Sequence, residues 1–159
     1  MEYASGVRVQ RGTATQSSTI VNVNLAPAVN TSRTFVLHSK TAGAGDSIYS
    51  RDHPVTVELR SANQLRIRTS GGNNAHRIAW QVVEFTNPGE LTVYRGSTSL
   101  TRNGWTQRTV SIGGTVDLTR KMVLGSYRSD NDGGDIDERT MRAFLPNTTQ
   151  VRLVRGDTG

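Results

Sequence analysis

The chain writes one phrase twice. Residues 32–39 read SRTFVLHS and residues 119–126 read TRKMVLGS, 87 positions further on (32 to 119). Self-similarity at a fixed spacing marks a fold built from repeated supersecondary units. The same register carries Val29-Asn30-Thr31-Ser32-Arg33 onto Val116-Asp117-Leu118-Thr119-Arg120, and Phe35-Val36-Leu37 onto Met122-Val123-Leu124. Upstream, VRVQRG (7–12) matches LTVYRG (91–96) at a spacing of 84 (7 to 91). Downstream, ELRSANQLRI (58–67) matches FLPNTTQVRL (144–153) at 86 (58 to 144). The spacing changes only across turn-rich stretches, where insertions are tolerated. The chain therefore reads as a tandem duplication, with repeats at 1–86 and 91–159 and a boundary at Asn87 to Glu90.

Each repeat reads as a series of short strands. In the first they are expected at 7–11, 19–25, 33–39, 54–60, 64–68 and 78–85. In the second they are expected at 91–95, 107–112, 120–127, 140–145 and 150–155. Gly, Pro, Asn and Asp punctuate the intervals, as in Ala26-Pro27, Asn87-Pro88-Gly89, Gly113-Gly114 and Pro146-Asn147. No long stretch carries apolar residues at helical spacing. The expected fold class is all-β, as two tandem β-sandwich units. Equivalence predicts Phe35 and Met122 at matching core positions, and Leu59 matching Leu145.

One strand occurs once. IAWQVVEF (78–85) is rich in β-branched and aromatic residues, and nothing like it follows Leu153, the match of Ile67. A repeat without it should leave a row of backbone donors and acceptors open beside the strand at 150–155. Three arrangements fit: a neighbouring molecule donates a strand, the second repeat closes with five strands, or the chain is a segment of a longer array. Met1-Glu2-Tyr3 precedes VRVQRG much as Glu84-Phe85 precedes LTVYRG. The donor is therefore expected to be Ala79 to Phe85 or Glu2 to Val9. The expected assembly residues are Glu2, Tyr3, Val7, Val9, Trp80, Val82, Val83, Phe85, Val151 and Leu153. The partners are then copies of the chain itself, in a homo-oligomer or helical fibre.

The succession VQRG, SRTFVL, a Gly/Asp loop, VELRSANQLRI and WQVVEF resembles the repeat of uncharacterised bacterial surface and phage structural proteins, a β-sandwich related in shape to H-type lectin domains. That resemblance implies architecture and an extracellular, cell-surface or virion setting more firmly than it implies a ligand. The chain departs from the pattern in lacking the final WQVVEF of its second copy.

Chemistry is sparse. The chain has no Cys, which removes disulfides, thiolate metal sites and a cysteine nucleophile. No apolar run is long enough for a membrane span, and Met1-Glu2 opens no basic and apolar leader. The net charge of +6 comes almost wholly from Arg, because Lys40 and Lys121 are the only lysines among 19 basic residues. These arginines alternate with apolar residues, as in LRIRTS (65–70), which places them on a solvated sheet face instead of a nucleic-acid groove. Asp130, Asp132, Asp135 and Asp137 in SDNDGGDIDE are the best metal candidates, but the spacing fails the EF-hand pattern and solvated turn acids are the expected reading. No cofactor is expected. Asn30 (NTS) and Asn147 (NTT) fit the N-glycosylation pattern in expected turns. Trp105, in the lengthened loop TRNGWTQ, is the one candidate for stacking on a sugar. The RGD at 155–157 matches an adhesion tripeptide that arises easily by chance. His38, His53 and His76 lie in separate segments with no catalytic pattern. The expectation is a non-enzymatic structural protein that self-assembles through β-strands, with a carbohydrate-binding module as the alternative.

Overall fold

The computed structural model describes residues 2–4, 6–41, 54–71, 75–100, 107–129 and 140–155. The chain is all-β. Two compact units form, one from Met1–Val93 with Ser126–Asp132, the other from Tyr94–Gly125 with Gly133–Gly159. Among the described residues no helix is long and apolar enough to cross a membrane.

The first unit contains β1 (Glu2–Ala4), β2 (Val7–Gln16), β3 (Ile20–Asn24), a short 3-10 turn at Thr31–Arg33, β4 (Thr34–Thr41), β5 (Thr56–Ser61), β6 (Gln64–Arg68) and β7 (His76–Phe85). One sheet runs β1-β2-β7-β4 and the other β3-β6-β5, with every pairing antiparallel. β7 alternates strictly: His76, Ile78, Trp80, Val82 and Glu84 are buried, and the residues between them are not. β6 does the same, burying Leu65 and Ile67 while Arg66 and Arg68 face outward. Period-two alternation aims both apolar rows into the space between the sheets. Ile78 packs with Val55, Val57 and Ile67, and Trp80 and Val82 with Leu25, Val29 and Leu65. The arginine alternation of LRIRTS thus lies on the outer face, where Arg66 meets Glu58 at 3.6 Å.

Gly12 faces Trp80 across the β2–β7 ladder. A Cβ there would stand 2.6 Å from the indole, so only glycine leaves the ring its place. At the far end of β7 the Glu84 carboxylate is clamped. Arg8 holds Oε2 in an ion pair, and the Asn30 N–H donates to Oε1 at 2.8 Å. Two backbone bonds, Leu25 N–H to Asn63 O and Val29 N–H to Ala62 O, both 2.8 Å, hold the β3–β4 connection to the β5–β6 turn.

The second unit contains β8 (Gln107–Ser111), β9 (Met141–Asn147) and β10 (Gln150–Arg155) in one antiparallel sheet of order β8-β10-β9. At the sequence spacings of 86 and 87, β8, β10 and β9 align with β3, β6 and β5, and the two sheets have the same strand order. The connections also correspond: Ile112 N–H donates to Thr149 O (2.9 Å) and Val116 N–H to Thr148 O (2.8 Å). Yet no described residue of this unit is buried. Val151 and Leu153, at the positions of Leu65 and Ile67, are only half covered.

Three expectations need correction. Residues 91–95 and 120–127 form no β-ladder with any described residue. Their counterparts β2 and β4 pair with β7 and not with each other, and alternation in a sequence sets which face is buried without supplying a ladder partner. The strand at 150–155 has no open edge, because β8 and β9 flank it on either side. Phe35 and Met122 are not core positions: Phe35 is half-buried on the outer face of its sheet and Met122 is 64% exposed. β1 was not expected at all.

The difference in burial has a measurable consequence. Ile67→Ala should destabilise the first unit by about 3 kcal/mol, the usual scale for emptying a closed core. Leu153→Ala should cost the second unit well under half of that. Chemical denaturation of the two variants against the parent chain checks the contrast, and equal losses would show that both sheets are equally covered.

Candidate functional site

β7 was one expected strand donor, and the structure places it elsewhere. Both of its edges are engaged along its length, from Val7↔Phe85 to Gln16↔His76 on one side and from Thr34↔Glu84 to Thr41↔Arg77 on the other. Trp80 (8% exposed) and Val82 (1%) are interior. The second expected donor is mostly engaged too: Val7 and Val9 belong to β2, and Glu2–Ala4 fold back on β2 after the chain reverses at Gly6, whose φ of 90° suits glycine.

The expected assembly residues that remain at the surface gather on the outer face of the four-stranded sheet. Val7 pairs with Phe85 and Val9 with Val83, while Phe35 pairs with Val83 from the other side. The rings of Phe35 and Phe85 lie 6.5 Å apart at 35°. Leu37, 39% exposed, continues this row on β4. All but Leu37 are half-buried, so this end of the face is apolar, while Arg11, Gln81 and Arg77 make the rest of it polar.

The second unit presents a different surface. Tyr94, Leu118, Met122 and Leu124 are 41%, 39%, 64% and 46% exposed. They are the exposed large apolar side chains of a unit in which no described residue is buried. Local geometry fixes the segments that carry them. Asp117 Oδ1 accepts from the Thr119 N–H (2.8 Å) and Oγ1 (2.7 Å), and the Arg120 N–H donates to Asp117 O (3.2 Å). The first unit builds the same turn before β4: Asn30 Oδ1 accepts from the Ser32 N–H (3.0 Å) and Oγ (2.7 Å), and the Arg33 N–H donates to Asn30 O (3.1 Å). Both are Asx turns that launch an extended segment. The other flank corresponds as well. The Tyr94 ring lies where a Cβ on Gly114 would fall, and at the matching place Gln10 Nε2 donates to Pro27 O at 2.7 Å.

The remaining candidates are distributed. Asn30 and Asn147 are both exposed and serve as turn acceptors, Asn147 Oδ1 receiving the Thr149 N–H at 3.0 Å. Asp130, Asp132, Asp135, Asp137, Trp105 and His53 lie outside the described residues, as do Gly156 and Asp157 of the RGD. Among the described residues no group of three His, Asp or Glu side chains is placed to hold a metal ion. His38 is half-buried on β4, and burial lowers its pKa from the ordinary 6.5.

No family model, curated protein or solved structure matches this chain.

The paired turns differ in one respect that pH can read. Hydrogen bonds from the Thr119 backbone and then its hydroxyl, aided by Arg120 and Lys121, hold the Asp117 carboxyl below its ordinary pKa of 3.8. A depressed carboxyl pKa contributes stability that is complete above the unfolded value and lost as pH falls through the folded one. The turn at 117–120 should therefore loosen below pH 3.8, whereas the acceptor inside the Asn30 turn is an amide oxygen that does not titrate. Asp117→Asn should abolish the dependence. NMR amide shifts of Thr119 and Ser32 across the acid range report both turns, and identical acid responses in parent and variant would contradict the assignment.

Proposed function

We propose that the protein is a non-enzymatic structural protein that assembles with copies of itself through β-strand contacts, as a fibre, surface array or virion appendage outside the cell. One observation carries this reading. The second unit holds a three-stranded sheet, stretches at 94–96 and 120–125 without a ladder among the described residues, and a set of exposed large apolar side chains, where the first unit has two sheets packed over a buried apolar core. A half-covered sheet gains most of its missing burial by accepting a strand, a general mode of joining β-modules. The outer-face row of Val7, Val9, Val83, Phe85 and Phe35 offers a second contact area. The carbohydrate-binding alternative rests on Trp105, and no described residue adds to it.

Sedimentation velocity tests the reading. The weight-average mass should rise with concentration, and elongated particles should be visible by negative stain. A chain that remains monomeric at the highest attainable concentration would contradict it, and binding in a glycan screen by that monomer would favour the alternative.

A further inference from the structure

We propose that the second unit carries an acceptor site for a single β-strand, between Tyr94–Gly96 and Arg120–Gly125, and that the strand it takes has the pattern of His76–Phe85. This rests on the reading of the chain as one that joins others through strands, and it specifies the acceptor and the chemistry of what enters.

The first unit shows what covers the corresponding surface. There β7 runs antiparallel between β2 and β4, paired to both along its length. Its inward residues Ile78, Trp80 and Val82 lie over Leu65 and Ile67 of the opposite sheet. Every element around that strand except the strand itself has a counterpart in the second unit. The floor is β10, with Val151 and Leu153 in place of Leu65 and Ile67. One flank is the segment launched by the Asp117 turn, and the other is the segment seated by Tyr94 against Gly114. A second segment with the pattern of β7 does not occur within the 159 residues.

Two local features indicate what the strand must carry. Gly12 exists to admit the Trp80 indole, and a Cβ there would stand 2.6 Å from the ring. Gly96 ends LTVYRG as Gly12 ends VRVQRG, yet a Cβ built on Gly96 meets nothing within 4 Å. The space that an indole fills in one unit is open in the other, so an aromatic residue is expected opposite Gly96. Met122 stands in the place of Phe35, which pairs with Val83 and packs its ring on Phe85. Met122 is 64% exposed and Leu124 46%. Apolar residues on the outward side of the incoming strand would cover Met122 and leave Leu124 as open as its counterpart Leu37. The occupant is therefore an extended polypeptide strand of about the length of β7, with alternating apolar residues, an inward aromatic near its middle and an outward apolar pair near its C-terminal end. In a neighbouring copy the segment with this pattern is its β7, which enters only by leaving its own two ladders, because both of its edges are in use when folded.

The test uses the full chain and a fluorescent synthetic peptide of sequence HRIAWQVVEF. Anisotropy should show saturable binding, and the peptide should raise the melting temperature of the second unit. Replacing the tryptophan of the peptide by alanine should weaken binding about tenfold or more, the scale on which a central aromatic anchor acts. Gly96→Val should abolish binding while leaving the melting of the free chain unchanged, because the new side chain enters open space. Gly12→Val, by contrast, should destabilise the first unit. As a second arm, the same ten residues joined after Gly159 by a Gly/Ser linker should raise the melting temperature of the second unit, and Gly96→Val should reverse the gain. Binding to a chain that never self-associates would keep this site and remove the self-assembly reading. Self-association without peptide binding and without a gain from the linked strand would overturn the site and leave that reading standing.

Discussion

One strand closes the described core of the first unit. β7 is the only described strand that joins two long neighbours, β2 and β4, and its inward row supplies Ile78, Trp80 and Val82 to both apolar clusters. Fully burying three such side chains contributes about 1.5–3 kcal/mol each. The ladders on either side satisfy the backbone groups of three strands at once. Fixing β2 and β4 costs conformational entropy of about 1–2 kcal/mol per residue, and a strand with neither a ladder nor an interior to face has little to set against that. The contrast between β2 or β4 and the segments at 91–95 and 120–127 follows from this constraint.

The polar end of β7 shows how specifically it is held. Glu84 is 5% exposed, a position no carboxylate occupies cheaply without partners. Arg8 and the Asn30 N–H supply them, and Arg8 also donates to Ala28 O at 2.6 Å. The clamp therefore ties three separate stretches of chain to one side chain: the start of β2, the turn before β4 and the end of β7. Removing the carboxylate alone would leave a half-buried guanidinium with a single carbonyl partner, so the clamp fixes the register of β7 as well as its stability.

Much of this was legible in the sequence, and the rest was not for identifiable reasons. The all-β class and the alternating faces of β6 and β7 follow from LRIR and IAWQVVEF, since a period of two determines which side chains point inward. The repeated phrases announced matching turns at Asn30 and Asp117, because an Asx turn is local and its residues write it directly. Strand partners are not local. Placing the open edge beside Val151 and Leu153 assumed that the singular strand would lie next to its sequence predecessor, whereas β7 crosses to the other sheet. The Arg8–Glu84 pair spans 76 positions, and no local signal joins its members. β1 left a faint trace in the likeness of Glu2-Tyr3 to Glu84-Phe85. The room above Gly96 could be read only after Trp80 was seen to need Gly12.

Segments like β2 and β4 become strands only when a strand like β7 lies between them. Residue-resolved amide hydrogen exchange on the dilute, monomeric chain tests it most directly. Strong protection is expected at the β2 and β4 amides that bond to β7, and near-unprotected exchange at Gly96 and Lys121–Gly125. Protection of those second-unit amides comparable to β2 and β4, in a verified monomer, would contradict it.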